Sequence, residues 1–193
     1  MNREFLITIL QNIQNAKREY RNEAALKIIE NPDLHIYLIQ ETFHTEDILS
    51  VRASWILEWI CTHKGLNIIL PHLDIFTKNL NKLHFGGSLR TCAKICEHIA
   101  IAYTSKTSHA IQKVLTQKQI NSLVEVSFDW LLTEQKIAVK AYSMHTLYLF
   151  GLEIDWIHNA LEEIIKKDII HLSKSCESRG KKIISLIHKI KNI

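Results

Sequence analysis

Apolar residues recur every three to four positions over most of the chain, which is the spacing of one face of an α-helix. The first segment, residues 3–19, carries one such stripe, formed by Phe5, Leu6, Ile9, Ile13 and Ala16. The same period predicts further helices near residues 21–30, 34–44, 48–63, 66–83, 89–103, 117–132, 135–150, 153–171 and 174–191. The pattern therefore predicts an all-α protein.

Helix-breaking residues divide this pattern into elements. Pro32 and Asp33 end the second predicted helix and can begin the third, because proline suits a first helical turn and an aspartate accepts free amide protons there. Pro71 lies inside the predicted helix 66–83 and should kink or restart it. Residues 104–116 are the most polar and least periodic stretch and predict a loop or an irregular helix. No linker-like segment occurs, so we expect a single domain over residues 1–193.

Composition agrees with helices and shows where the charge lies. The chain of 193 residues contains five glycines and two prolines, too few for the frequent turns of a β-rich fold. The net charge is +4, yet residues 1–165 hold sixteen basic and eighteen acidic side chains. From Lys166 onward there are eight basic and two acidic residues. This basic end predicts either a surface that meets phosphate or an acidic partner, or the solvated face of a terminal helix.

The reactive side chains form no recognisable catalytic or metal-binding motif. Cys92 and Cys96 lie four residues apart on one predicted helix, but a zinc site usually needs two such pairs, so buried thiols are the better interpretation. The chain has no His-Glu-x-x-His, no phosphate-binding loop and no Gly-x-Gly-x-x-Gly. We therefore expect no catalytic residue, no metal and no cofactor, and a protein that is not an enzyme.

The apolar runs are short. None approaches the roughly 20 residues needed to cross a bilayer. The beginning of the chain lacks a small-residue cleavage site and reads as an amphipathic helix rather than a signal peptide. We expect a cytoplasmic protein without a membrane partner.

Two stretches of the chain resemble each other. TEDILSVRASWILEWI at 45–60 and TEQKIAVKAYSMHTLY at 133–148 align without a gap, with valine, a basic residue and alanine at their seventh to ninth positions. Both then run into a Gly-Leu-x-Ile turn, at Gly65 and Gly151. A weaker copy, SLRTCAKICEHI, covers 88–99. This self-similarity indicates a helical repeat.

The repeated segment resembles the HEAT repeat, whose second helix opens with Val-Arg-x-x-Ala or a close variant. In that family an acidic residue commonly lies six positions before the basic one, and Glu46 with Arg52 and Glu134 with Lys140 match this spacing. The resemblance implies an armadillo-like, right-handed α-α superhelix of about four to five HEAT-like helix pairs. Each carboxylate could accept a hydrogen bond from the basic side chain of its own or a neighbouring repeat and so tie the turns into a ladder.

The resemblance also suggests where a partner would bind, because inner helices of a HEAT array line a concave surface. Arg52, Trp55 and Trp59 share one face of a helix. The predicted partner-binding set on the inner helices is Arg52, Trp55, Trp59, Arg90, Lys94 and Lys140. It favours a scaffold or adaptor that binds a protein or peptide on its concave face. The open alternative is that the tryptophans are core residues and that Arg52 pairs with Glu46.

A second functional hypothesis is nucleic-acid binding. The chain is similar in size and kind to the HEAT-like DNA alkylpurine glycosylases, which hold damaged duplex in a basic concave groove with aromatics and a carboxylate. By this resemblance Trp55 and Trp59 would take the aromatic role, and Arg52 and Arg90 the phosphate contacts. No motif locates the carboxylate, and the net charge is low for a DNA clamp.

Overall fold

Helices make up most of the computed structural model, which describes residues 2–191. No β-strand occurs in that range, and the predicted all-α class is confirmed. The helices are α1 Arg3–Gln11, α2 Arg18–Ile29, α3 Leu34–Thr42, α4 Leu49–Lys64, α5 Leu73–Asn79, α6 Gly86–Tyr103, α7 Ile111–Val114, α8 Gln117–Leu132, α9 Ile137–Phe150, α10 Asp155–Ile164 and α11 Lys174–Lys191. Among the described residues, no helix combines the length and the apolar character that a membrane span requires.

The chain divides into two compact units, Met1–His98 and Ile99–Ile193, and the division falls within α6. Each unit has a buried apolar core of its own. The single domain over residues 1–193 and the superhelix of HEAT-like pairs stay predictions.

In the first unit, α4 is the central helix and contacts α1, α2 and α3. Eleven of its sixteen residues are buried, more than one apolar face would account for. Ile56 and Leu57 on α4 are fully buried, as are Leu10 of α1 and Leu38 of α3. A helix held on three sides is a rigid place from which to present side chains.

Pro71 changes the predicted helix 66–83 in the expected way. The segment begins with two 3-10 turns, Leu66–Ile68 and Leu70–His72, and becomes α-helical only in α5. Pro71 has no amide hydrogen to donate and its ring opposes a continuous helix before it. The helix restarts two residues after the proline.

In the second unit, α9 contacts α8, α10 and α11. A capping box begins α8, in which the Thr116 hydroxyl accepts from the Gln119 amide at 3.3 Å and the Gln119 side chain accepts from the Thr116 amide at 2.9 Å. The polar stretch 104–116 contains only the short α7, as its lack of periodicity predicts. A π-helical turn, Ile165–Ile169, follows α10.

Candidate functional site

Arg52 joins the beginning of α4 to the end of α1. Its Nη1 donates to the carbonyl oxygens of Leu10 and Gln11, each at 3.1 Å. These are the last two residues of α1, where carbonyls lack the amide partner of a helix interior, and the Leu10 carbonyl also accepts from the Ile13 amide at 3.2 Å. A cation at this position also interacts favourably with the helix dipole. Arg52 therefore caps α1.

Lys140 does the same for α8. Its Nζ donates to the carbonyl oxygens of Leu131 at 2.5 Å and Thr133 at 2.7 Å, where α8 ends. The side chain is buried, and burial lowers the pKa of its ammonium group. Arg52 and Lys140 are each the fourth residue of their helix, so the matched sequence positions share one chemical role.

Arg52 and Lys140 do not form the predicted ladder of pairs with Glu46 and Glu134. Glu46 and Glu134 are both exposed, and within residues 2–191 no ion pair joins Glu46 to Arg52 or Glu134 to Lys140. The basic side chains reach main-chain carbonyls instead, because an unpaired helix end offers two acceptors close together.

Removing either cap should cost stability and leave the rest of the fold in place. We expect Arg52→Ala and Lys140→Met each to lower the free energy of unfolding by about 1–3 kcal/mol, the range for hydrogen bonds to a charged group. Urea denaturation followed by circular dichroism measures this change. Arg90→Ala is the matched control, since Arg90 is exposed, and should cost less than about 0.5 kcal/mol. An equal effect of Arg52→Ala and Arg90→Ala would show that the cap contributes nothing.

Trp59 is buried in the first unit and is not an open stacking surface. The His63 ring stacks on it with 3.7 Å between ring centroids. The guanidinium carbons of Arg18 and Arg21 lie 5.6 Å and 5.1 Å from the centre of the indole ring. Trp55 is half-buried. The indole predicted to meet a partner therefore already carries an imidazole and two cations from this chain.

A carboxylate that the sequence analysis missed lies at the centre of this region. Glu58 of α4 is 4% exposed and accepts hydrogen bonds from Lys94 Nζ at 2.5 Å, Thr62 Oγ1 at 2.8 Å and Arg21 Nη1 at 3.4 Å. Burial by itself would raise the pKa of Glu58, but the hydrogen bonds from Lys94 and Thr62 and the charges of Lys94 and Arg21 outweigh it. The net pKa is lowered, so Glu58 is ionised at neutral pH.

The Glu58 network connects three helices. Arg21 belongs to α2, Glu58 and Thr62 to α4, and Lys94 to α6. Thr62 Oγ1 also lies 3.1 Å from His98 Nε2. The sequence signal for this position was that Glu58, the single carboxylate of α4, lies between the apolar residues Leu57 and Trp59.

The six predicted partner-binding residues thus have different structural roles and exposures. Arg52 and Lys140 cap helices, Trp59 is buried, Trp55 is half-buried, Lys94 pairs with Glu58, and Arg90 is exposed. Most of this set is used inside the fold. A free binding surface must be sought elsewhere.

A groove between α8 and α10 in the second unit is the clearest such surface. Its volume is about 540 Å³, and it is lined by Gln117, Asn121, Val124, Glu125, Phe128, Asp129, Ile154 and Trp156. Trp156 is 57% exposed, and its ring stacks on Phe128 with 5.6 Å between centroids and 20° between planes. Val124 and Ile154 complete the apolar part of the lining.

The charge at this groove is acidic. Glu125 and Asp129 line it, Glu153 and Asp155 are close to Trp156 in sequence, and all four are exposed. Within residues 2–191 none of these four carboxylates forms an ion pair, and no lysine or arginine lines the groove. The groove therefore offers an exposed indole beside uncompensated negative charge.

The basic end of the chain is partly neutralised by one carboxylate. Glu162 accepts from Lys166 Nζ at 2.6 Å and from His188 Nε2 at 2.7 Å, and Lys191 Nζ lies 3.6 Å away. These hydrogen bonds lower the pKa of Glu162 to about 2. The residues contributing to this cluster come from α10, the π-helical turn and α11, so part of the basic charge holds these elements together.

All four cysteines are buried and unpaired. Burial raises the pKa of Cys92 to about 12, which leaves an unreactive thiol. Among the residues described, no group of three or more His, Cys, Asp or Glu side chains could hold a metal ion.

Comparisons of the chain with protein-family models, with curated proteins and with solved structures found no match. The likeness to HEAT repeats accordingly rests on the matched residues alone. The family, the class of partner and the cytoplasmic location stay predictions.

Proposed function

We propose that this chain is a non-enzymatic helical scaffold that binds a protein partner, and that the groove between α8 and α10 receives a basic amphipathic segment of that partner. We call this groove the acidic aromatic groove and define it by Val124, Phe128, Ile154, Trp156, Glu125 and Asp129. The observation that carries the proposal is the exposure of Trp156 in a groove flanked by unpaired carboxylates.

The apolar part of the groove supports binding by an apolar anchor. Scattered exposed hydrophobic residues are normal, but Trp156 stacks on Phe128 and forms a wall of a concave site. Tryptophan is among the residues most enriched at the energetic centres of protein interfaces. A leucine or aromatic side chain of a partner would bury apolar surface against the indole that is now in water.

The charge of the groove selects the partner. Glu125 and Asp129 repel the phosphates of a nucleic acid and attract lysine and arginine. A cationic side chain over the face of Trp156 would gain a cation–π contact as well. At this groove the chemistry supports a protein partner over the nucleic-acid alternative.

Selection from a displayed peptide library tests the proposal with a defined probe. The library is selected on the wild-type chain and counter-selected on Trp156→Ala. We expect enriched peptides that combine lysine or arginine with an apolar helical face, because both halves of the groove are then used. Enrichment of acidic peptides, or no enrichment over Trp156→Ala, would overturn the proposal.

Affinities of a selected peptide then measure the contribution of each part of the groove. Trp156→Ala should weaken binding at least about tenfold, the effect of an interface hot spot. Leu132→Ala is the matched control, since Leu132 is exposed on α8 and lies outside the groove lining, and should leave the affinity unchanged. Glu125→Gln with Asp129→Asn should reduce the dependence of the affinity on salt.

A further inference from the structure

Three cations meet at Glu58 and Trp59 in the first unit. Arg18 and Arg21 lie three residues apart on α2, and both guanidinium groups lie within 5.6 Å of the Trp59 ring centre. Lys94 reaches Glu58 from α6. We call Arg18, Arg21 and Lys94 the cationic cluster. Glu58 forms ion pairs with Arg21 and Lys94, so these four side chains together carry three positive charges and one negative charge, an excess of two.

The hydrogen-bonding capacity of the two arginines is largely unused. Arg21 approaches Glu58 with one nitrogen at 3.4 Å, whereas Lys94 and Thr62 approach the other carboxylate oxygen at 2.5 Å and 2.8 Å. The Arg21 Nε is buried and, among the residues that the structure describes, has no hydrogen-bond partner. Arg18 is exposed, and within residues 2–191 it forms no ion pair. A buried donor without an acceptor is costly, and an acceptor from outside the chain would relieve that cost at this site.

Two histidines lie near the cluster. His63 stacks on Trp59, and His98 contacts Thr62. Glu19 lies beside Arg18 in sequence, but adjacent residues on a helix point in different directions. The indole limits the freedom of both guanidinium groups, which reduces the entropy that a ligand would have to remove.

We propose that the cationic cluster binds the phosphate group of a phosphate monoester. Guanidinium groups match phosphate oxygens in paired, fork-like hydrogen bonds, and a dianion balances the two excess positive charges. The exposed Arg18 guanidinium and the partly exposed Arg21 guanidinium supply the donors. This site is separate from the acidic aromatic groove and does not depend on it.

The charge of the surrounding unit favours a compact anion over an extended one. Residues 1–98 contain eleven basic and eleven acidic side chains. Nucleic-acid binding draws its affinity from many phosphate contacts across a basic surface, and a unit of zero net charge does not supply them. A single dianion needs only the local excess at Arg18 and Arg21.

Nuclear magnetic resonance of the arginine Nε–H groups tests the site directly. Phosphoserine and inorganic phosphate are titrated into the full chain, with sulfate and acetate as comparison anions. We expect a saturable shift of the Arg21 Nε–H signal with both phosphates at millimolar concentrations. Binding should tighten as the pH rises through the second ionisation of the phosphate near pH 6. A larger effect of phosphoserine than of inorganic phosphate would identify the ester as the ligand, and the reverse would overturn that part of the proposal.

Matched variants separate the site from general charge effects. Arg18→Gln and Arg21→Gln should each weaken phosphate binding at least about tenfold, since each removes a charge-assisted hydrogen-bond donor. Arg18 is exposed, so Arg18→Gln should fold normally. It therefore tests the proposal even if Arg21→Gln fails to fold. Lys78→Gln removes one charge from an exposed position of α5 and should change nothing.

Three results would overturn the proposal. The first is the absence of any saturable shift with either phosphate. The second is equal weakening by Arg18→Gln and Lys78→Gln. The third is tight binding of single-stranded RNA or duplex DNA without binding of phosphate monoesters, which would assign the cluster to an extended polyanion.

Discussion

Replacing Glu58 with alanine is expected to lower the free energy of unfolding by about 2–4 kcal/mol. Removing one member of a fully buried ion pair typically costs about 3–5 kcal/mol, because the remaining charge is left without a partner. Here Arg21 and Lys94 retain 19% and 26% exposure, so water relieves part of the cost. The repulsion among Arg18, Arg21 and Lys94 would no longer be offset.

The measurement is urea unfolding of Glu58→Ala, Glu58→Gln and Glu23→Ala. Glu23 pairs with Lys27 on the exposed side of α2, so Glu23→Ala is the matched loss of a surface ion pair and should cost less than about 0.5 kcal/mol. Glu58→Gln retains an acceptor for Thr62 and should fall between the two. Similar values for Glu58→Ala and Glu23→Ala would contradict a central role for Glu58.

The pH dependence provides a second readout of the same carboxylate. The pKa of Glu58 is lower in the folded chain than its ordinary value of 4.5. Its contribution to stability is therefore fully present above about pH 5 and is lost as the pH falls through the folded pKa. Glu58→Gln should remove this part of the acid destabilisation, whereas a wild-type acid limb in Glu58→Gln would assign it to other groups.

Helix ends were predictable where the signal is local. The predicted limits 117–132 and 174–191 match α8 and α11. The start of α8 is set by Thr116 and Gln119, three residues apart, and such a capping box can be read from the sequence. The type of element was predictable for the same reason, because helical periodicity depends on neighbouring residues.

Helix ends that depend on distant contacts were not predictable in this way. The apolar stripe over residues 3–19 predicted one helix, but α1 ends at Gln11. Its terminal carbonyls bind Arg52, which is 41 residues further along the chain than Gln11. The predicted helix 153–171 likewise changes at Ile165 into a π-helical turn. Gly180 of α11 lies against this turn so closely that a Cβ atom there would be 2.7 Å from Ile165 Cγ2.

The candidate sites show the same difference between features set by neighbouring residues and features set by distant contacts. The repeat aligned Arg52 with Lys140, and both donate to carbonyls at a helix end. Arg52 caps α1, three helices before its own, whereas Lys140 caps α8, directly before its own, and no spacing rule identifies these carbonyls. Asp129 and Trp156 lie on different helices, and only the packing of α8 beside α10 brings them to one groove. Glu58 is recognisable as the lone carboxylate of α4, between Leu57 and Trp59, whereas its partners from α2 and α6 cannot be recognised from the sequence.

Gly151 matches Gly65 in the internal repeat. It is the position where adding a single methyl group should have the second large effect on stability. A Cβ atom on Gly151 would lie 2.1 Å from Cδ2 and 2.4 Å from Nε2 of His158. His158 is buried, and its Nε2 donates to the Tyr148 carbonyl at 2.8 Å, so the ring cannot move without losing that bond. We expect Gly151→Ala to lower the free energy of unfolding by about 2–3 kcal/mol.

The sign of this effect distinguishes crowding from backbone preference. Gly151 has a φ of −65°, which alanine adopts freely, so without the clash Gly151→Ala would stabilise the chain by about 0.5–1 kcal/mol. A double-mutant cycle with His158→Ala measures the crowding directly. In the His158→Ala background the cost of Gly151→Ala should disappear, because the space left by the imidazole accepts the methyl group. The same cost in both backgrounds would mean that the end of α9 is sensitive to Gly151 for a reason other than its contact with His158.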